Sequence, residues 1–159
     1  MKPKVDPGRT LALGPGAEFD RIRGIIEALG PNATGLGDDC ALFPSGDTFF
    51  ALSTDLSVEG IHFRLDWISL EEAGWRAAAA ALSDLAAEGA KPLGLLSAVT
   101  MPNSATEADL LQLMNGVGAA GVSVGAPVSG GDLSSGSAWS VADAPRFPGR
   151  LLTIHSAAR

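Results

Sequence analysis

Four acidic positions in the sequence share one pattern. Asp39 follows the glycine-punctuated stretch Gly35-Leu36-Gly37-Asp38, Asp55 closes Ser53-Thr54-Asp55, Asp84 lies within Leu82-Ser83-Asp84-Leu85, and Asp132 follows Gly130-Gly131. Three of them, Asp39, Asp55 and Asp132, are expected where a strand meets a tight turn, which is where an open sheet presents its chemistry. Asp84 is surrounded instead by Ala79, Ala80, Ala81, Leu82, Leu85, Ala86 and Ala87. An ionised carboxylate in so apolar a stretch needs a partner or a metal. Taken singly, each aspartate suits a turn or a helix cap. Taken together they point to bound cations, because two bare carboxylates about 4 Å apart repel by roughly 4 kcal/mol at an effective dielectric constant of 20. The donors are all oxygen, with the Ser53 and Thr54 hydroxyls beside the carboxylates. That set suits Mg2+, a hard cation that bridges protein carboxylates to substrate phosphates.

The remaining chemistry-bearing residues narrow the choice. The lysines are Lys2, Lys4 and Lys91, and none lies in a Gly-x-x-x-x-Gly-Lys-Ser/Thr loop, which excludes a P-loop kinase or GTPase. Phosphates would then be held by metal ions and by backbone N–H groups of the glycine turns. Gly116-Val117-Gly118-Ala119-Ala120-Gly121 spells Gly-x-Gly-x-x-Gly, but it falls inside a helical pattern and not between a strand and a helix start. It reads as small residues that let helices approach closely, not as a dinucleotide site. His62, in Val58-Glu59-Gly60-Ile61-His62-Phe63, suits a partly buried structural imidazole as well as a ligand contact. Cys40 has no neighbouring base to activate it and reads as a small core residue. No spacing specifies a Ser/His/Asp arrangement.

The elements that must position these residues alternate between helix and strand, so the fold class is mixed α and β. Glu18 to Leu29 follows a helical period, with Phe19, Ile22, Ile26 and Leu29 on one face and Gly30-Pro31 as the stop. A short apolar run, Cys40 to Phe43, is expected to turn at Pro44-Ser45-Gly46-Asp47. Thr48 to Thr54 reads as a buried strand ending at Asp55. Ser69 with Glu72 forms a capping box before an alanine-rich helix that Gly89 terminates. Leu93 to Met101 is a strand closed by Pro102-Asn103. Ser104 with Glu107 offers a second capping box, opening a helix to about Val124. A short strand near Pro127–Ser129 leads into Gly130-Gly131-Asp132.

Composition sets the outer limits. The chain has 159 residues, 46% of them hydrophobic, which fits one domain with a real core. Acids outnumber bases, 18 to 11, and the excess is concentrated: Glu18 to Asp132 holds sixteen acids against five bases, whereas Leu133 onward holds one acid and three arginines. A body this acidic repels a phosphate backbone and excludes nucleic acid as a partner. The longest apolar stretches, Ala77–Leu82 and Leu93–Met101, fall far short of the roughly 20 residues of a membrane-spanning helix. The charged start, Met1-Lys2-Pro3-Lys4, has no apolar stretch after it, so no signal peptide is expected. A single cysteine cannot form an internal disulfide, and the reducing cytoplasm is the natural compartment.

These residues, in this order, resemble the thiamine-monophosphate kinases. They belong to the superfamily that includes aminoimidazole ribonucleotide synthetase, selenophosphate synthetase and the hydrogenase-maturation dehydratase. The matching segments are Gly16-Ala17-Glu18-Phe19; Leu36-Gly37-Asp38-Asp39-Cys40-Ala41-Leu42; Ser53-Thr54-Asp55 with Val58-Glu59-Gly60-Ile61-His62-Phe63; Leu82-Ser83-Asp84-Leu85-Ala86-Ala87 with Gly89-Ala90; and Gly130-Gly131-Asp132. The resemblance implies transfer of the γ-phosphoryl group of ATP to thiamine monophosphate, giving thiamine diphosphate, by direct in-line attack with several Mg2+ ions. It implies no protein nucleophile. By position it makes Asp39, Ser53, Thr54, Asp55, Asp84 and Asp132 metal ligands, sets Gly131 against ATP and lets His62 contact thiamine monophosphate. Phosphoryl transfer needs charge neutralisation and alignment above all, which agrees with the acidic pattern.

The implied fold is α+β: a mixed sheet with helices on one face, whose sheets pair into a barrel across a homodimer. The expected division is a flexible lead-in over 1–15, an N-terminal ATP- and Mg-binding domain over 16–142 and an atypical tail over 143–159. Family members carry a second, C-terminal domain that is not expected here. After Gly136 the pattern degrades, and Asp143 to Arg159 suggests a truncated or frameshifted end. Two alternatives follow: a non-catalytic fragment that folds and dimerises, or a relative acting on another phosphate acceptor.

Overall fold

In the computed structural model, residues 13–149 are described, with the backbone alone for 146–149. The order is α1 (Ala17–Leu29), a 3-10 turn (Gly30–Asn32), β1 (Ala41–Ser45), β2 (Thr48–Leu52), β3 (Asp55–Val58), α2 (Leu70–Ala87), β4 (Gly94–Pro102), α3 (Glu107–Ser123), β5 (Val128–Gly136) and β6 (Ser140–Gly149). The six strands form one mixed sheet ordered β1-β2-β6-β4-β5, with β3 also paired to β6. Among the described residues β4 and β5 are the one parallel pair of strands, and α3 makes the crossover that a parallel pair requires. The α+β expectation, with a mixed sheet and helices, is the fold observed.

The alanine-rich helix begins and ends as its sequence dictates. Ser69 and Glu72 make the reciprocal capping box, with Ser69 N–H donating to the Glu72 carboxylate at 2.8 Å. At the other end Gly89 takes φ 64°, which lets Gly89 N–H reach Ala86 O and Ala90 N–H reach Leu85 O at 2.9 Å. Ala73, Ala77 and Ala78 of α2, with Leu113, Val117 and Ala120 of α3, close over Leu95, Val99 and Val141 of the sheet to form the main core. The glycines of the Gly-x-Gly-x-x-Gly stretch serve that packing. A Cβ on Gly116 would stand 1.8 Å from Glu71 O on α2, so only glycine permits the contact.

Several boundaries differ from the sequence reading. The strand expected over Thr48 to Thr54 stops at Leu52, and Asp55 opens a separate strand, β3, where it was expected to end the first. Both β2 and β3 pair with β6, and the ladder breaks between Leu52↔Arg146 and Asp55↔Asp143. Pro145, which has no N–H to donate, lies opposite that break. Pro44 belongs to β1 and not to the turn, which an edge strand tolerates. The cap of α3 is Thr106 with Asp109, not Ser104 with Glu107, because Ala105 N–H bonds Pro102 O and uses Ser104 inside a turn. Asp132 sits in the middle of a nine-residue β5, where a short strand stopping before the glycines was expected. The final strand β6 runs unbroken through 142–143, the expected start of the tail, and is the most widely paired strand of the sheet. Residues 150–159 lie outside the described residues, as do residues 1–12 of the lead-in.

Candidate metal and phosphate site

Two sets of polar side chains are brought together, one between the β2–β3 break and the last turns of α2 and the other across β3, β6 and β4. The break between β2 and β3 frees Ser53 from regular pairing, and its buried hydroxyl donates to the Asp84 carboxylate at 2.5 Å. This supplies the partner that an acid in the alanine run requires. Along β3, Asp55 stands directly opposite Asp143 of β6, and Asp143 in turn stands opposite Ser97 of β4. Asp143 is fully buried, and neither of its carboxylate oxygens has a hydrogen-bond partner among the described residues. Burial pushes its carboxyl up to about 6; the nearby Ser97 hydroxyl offsets part of this, and the Asp55 charge adds to it.

A second group of acids surrounds Cys40. The buried thiol is pushed up to about 12, first by desolvation and then by the charges of Glu88, Asp84, Asp39 and Asp38. It is a core residue with no nucleophilic character, as its sequence context indicates. Glu88, at the C-cap of α2, is also raised, chiefly by burial and then by Asp38. Asp39 itself is exposed, with its backbone N–H on the Asp38 carboxylate at 3.0 Å.

The other expected residues stand apart from these groups. Thr54 is exposed beside Ser53. Asp132 pairs with Ala98, one residue on from Ser97, so strand alternation sets it on the opposite face from Ser97 and Asp143. Gly131 faces Ser97 across the β4–β5 ladder so closely that a Cβ would stand 1.8 Å from Ser97 O. His62 is exposed beyond the far end of β3 from Asp55, and its Nδ1 accepts the Val58 N–H at 3.0 Å. Among the described residues, no three His, Cys, Asp or Glu side chains converge as a preformed metal cluster. The donor chemistry nonetheless fits a hard cation: carboxylates and hydroxyls alone, with two buried carboxylate oxygens and the Ser97 hydroxyl left without partners. Glu88, Ser97 and Asp143 were not singled out from the sequence. The available signal for Asp143 was the one used for Asp84, a lone acid in an apolar run, here Val141-Ala142-Asp143-Ala144-Pro145.

The sequence and fold match a known class. The family model described as AIR synthase related protein, N-terminal domain, matches residues 37–145, and the chain belongs to that family. Within it the chain is similar to thiamine-monophosphate kinases. The one from Mycobacterium tuberculosis is 34% identical over 154 residues, covering 92% of this chain and 45% of the relative. That of Synechococcus elongatus is 41% identical over 99 residues, 62% of this chain and 30% of the relative. Among solved structures, AaThiL complexed with AMPPCP and TMP superposes with a TM-score of 0.80 at 25% identity, over 89% of this chain and 45% of that one. The chain thus spans less than half the length of these relatives. Among the described residues, no helix is long and apolar enough to cross a membrane.

Proposed function

We propose that this chain is the nucleotide- and metal-binding part of a thiamine-monophosphate kinase, transferring the γ-phosphoryl group of ATP to thiamine monophosphate. The observation that carries this reading is the similarity to AaThiL in complex with AMPPCP, an ATP analogue, and TMP, across nearly the whole chain. Asp39, Ser53, Thr54, Asp55, Asp84 and Asp132 would hold Mg2+, Gly131 would lie against ATP, and His62 would contact thiamine monophosphate. Bound Mg2+ supplies charge neutralisation of the phosphates. The chain's own part is to orient oxygens: Ser53 fixes Asp84, and the β2–β3 break presents Asp55. The thiol buried at Cys40 suits a cytoplasmic enzyme.

A homodimer belongs to the same reading. Leu56, Ala142 and Ala98 share one face of the sheet, and Leu56 and Leu96 remain about half exposed there (50% and 45%). A second copy would cover this face, the two sheets pairing into a barrel. The chain's coverage of 45% of its M. tuberculosis relative favours a second outcome as well, a fragment that folds and dimerises without turnover. A coupled ADP-release assay with thiamine monophosphate, ATP and Mg2+ separates the two, and little or no turnover is expected of the 159-residue chain. Calorimetry with AMPPCP and Mg2+ tests the site itself. Asp55→Asn should weaken Mg2+-dependent nucleotide binding, and unchanged affinity would remove Asp55 from the site. Turnover with another phosphate acceptor, but not with thiamine monophosphate, would move the protein to a different branch of the family.

A further inference from the structure

Strand β6 leaves one carboxylate unexplained. Asp143 is 0% exposed, and among the described residues neither of its oxygens nor the Ser97 hydroxyl opposite it, 4% exposed, makes a hydrogen bond of good geometry, although the hydroxyl is near enough to influence the carboxyl. On its other side Asp143 faces Asp55. Residues directly opposite on adjacent antiparallel strands have Cβ atoms about 4.5–5.5 Å apart and point to the same face. Asp55, Asp143 and Ser97 therefore form a row of oxygen donors across β3, β6 and β4. They lie on the face that Leu95, Val99 and Val141 turn toward the helices. Asp55 is only half-buried and opens the row to solvent.

A buried carboxylate must take up a proton or a cation to be tolerated. A proton neutralises Asp143 alone and leaves the facing Asp55 carboxylate without a counter-charge. A divalent cation answers both carboxylates and the hydroxyl at once. We propose that Asp143, Asp55 and Ser97 form a site for a hard divalent cation of the Mg2+ or Mn2+ class, with Asp143 as a ligand on β6 in addition to the aspartates named above. This rests on the reading of Asp55 as a cation ligand. Mg2+ retains several waters and needs only one or two carboxylates, which suits a row closed at Asp143 and open at Asp55.

Mn2+ is the probe, titrated into the 159-residue chain with free Mn2+ read by electron paramagnetic resonance and with melting followed in parallel. The wild-type chain should bind Mn2+ and melt higher when saturated. Both Asp143→Asn and Asp143→Val should lose about 10-fold to 100-fold in affinity and most of the Mn2+-dependent rise in melting temperature, with Ser97→Ala losing less. Valine suits the apolar strand, so Asp143→Val should melt no lower than wild type without metal, separating lost binding from lost folding. If Asp55→Asn weakens Mn2+ binding and both Asp143 variants bind like wild type, the role of Asp143 is overturned and that of Asp55 stands. A wild-type chain that binds no Mn2+ overturns both.

Discussion

The two ends of α2 are built from opposite chemistry. Its first half buries Ala73, Gly74, Ala77 and Ala78, and its backbone touches that of α3, where a Cβ on Gly74 would stand 2.0 Å from Leu113 O. Its last turns carry Asp84 and Glu88, which face Ser53, Cys40, Asp38 and Asp39. One end is close-packed and accepts no added atom. The other holds like charges together, and an arrangement of that kind is stabilised by a ligand more than by its own contacts. Cohesion and charge are thus separated along one helix, with the packed end positioning the charged one.

The contrast can be broken most directly at the packed end. Gly116→Ala should cost about 3 kcal/mol or more, since the new methyl meets backbone on α2 that cannot rotate away. Urea denaturation measures this, and a loss under about 1 kcal/mol would mean that the helices part easily.

At the charged end the largest effect is one of pH. The carboxyl of Asp143 titrates near 6 in the folded chain, above the ordinary aspartate value of about 3.9. A raised carboxylate favours the folded state while protonated, so the stability is present below about pH 4 and is lost as pH rises through about 6. The loss amounts to about 3 kcal/mol in the absence of divalent cations. Asp143→Val should remove this part of the slope and stabilise the chain at neutral pH. Denaturation in chelator between acid and neutral pH decides it, and an unchanged slope in the variant would assign the titration elsewhere.

Smaller effects sharpen the comparison. Ser53→Ala strips the half-buried Asp84 of its donor and should cost about 2 kcal/mol, as for other hydrogen bonds to charged groups. Added Mg2+ should recover part of that loss if a cation replaces the hydroxyl; no recovery would mark Asp84 as structural. Ser69→Ala at the packed end's cap should cost about 1 kcal/mol with no dependence on Mg2+. A Mg2+-dependent change there would show that the two ends are coupled.

Legibility in the sequence followed the range of the interactions. The α2 cap at Ser69 and Glu72, its stop at Gly89 and the close-packing role of Gly116 to Gly121 could all be read, because each depends on residues within a few positions or on small size itself. The cap of α3 was misplaced by two residues because Ser104 and Thr106 both offer the required spacing. Only the Pro102–Ala105 turn chooses between them. The split of Thr48–Val58 into β2 and β3 was hidden for a different reason. It is set by the partner strand, where Pro145 lies opposite the break, almost a hundred residues later.

The sequence by itself determined the three helices and the strand between α2 and α3, the oxygen chemistry of the candidate donors, the exclusion of a P-loop and the inert character of Cys40, since these follow from residue chemistry and local spacing. It also marked Asp84 as needing a partner. Only the tertiary structure decided that the partner is Ser53, that Asp132 lies across the sheet from Asp143, and that residues 143–149 complete the sheet. Pairing across strands sets one residue against another without regard to their distance in the chain. The register of β6 therefore determines which oxygens meet.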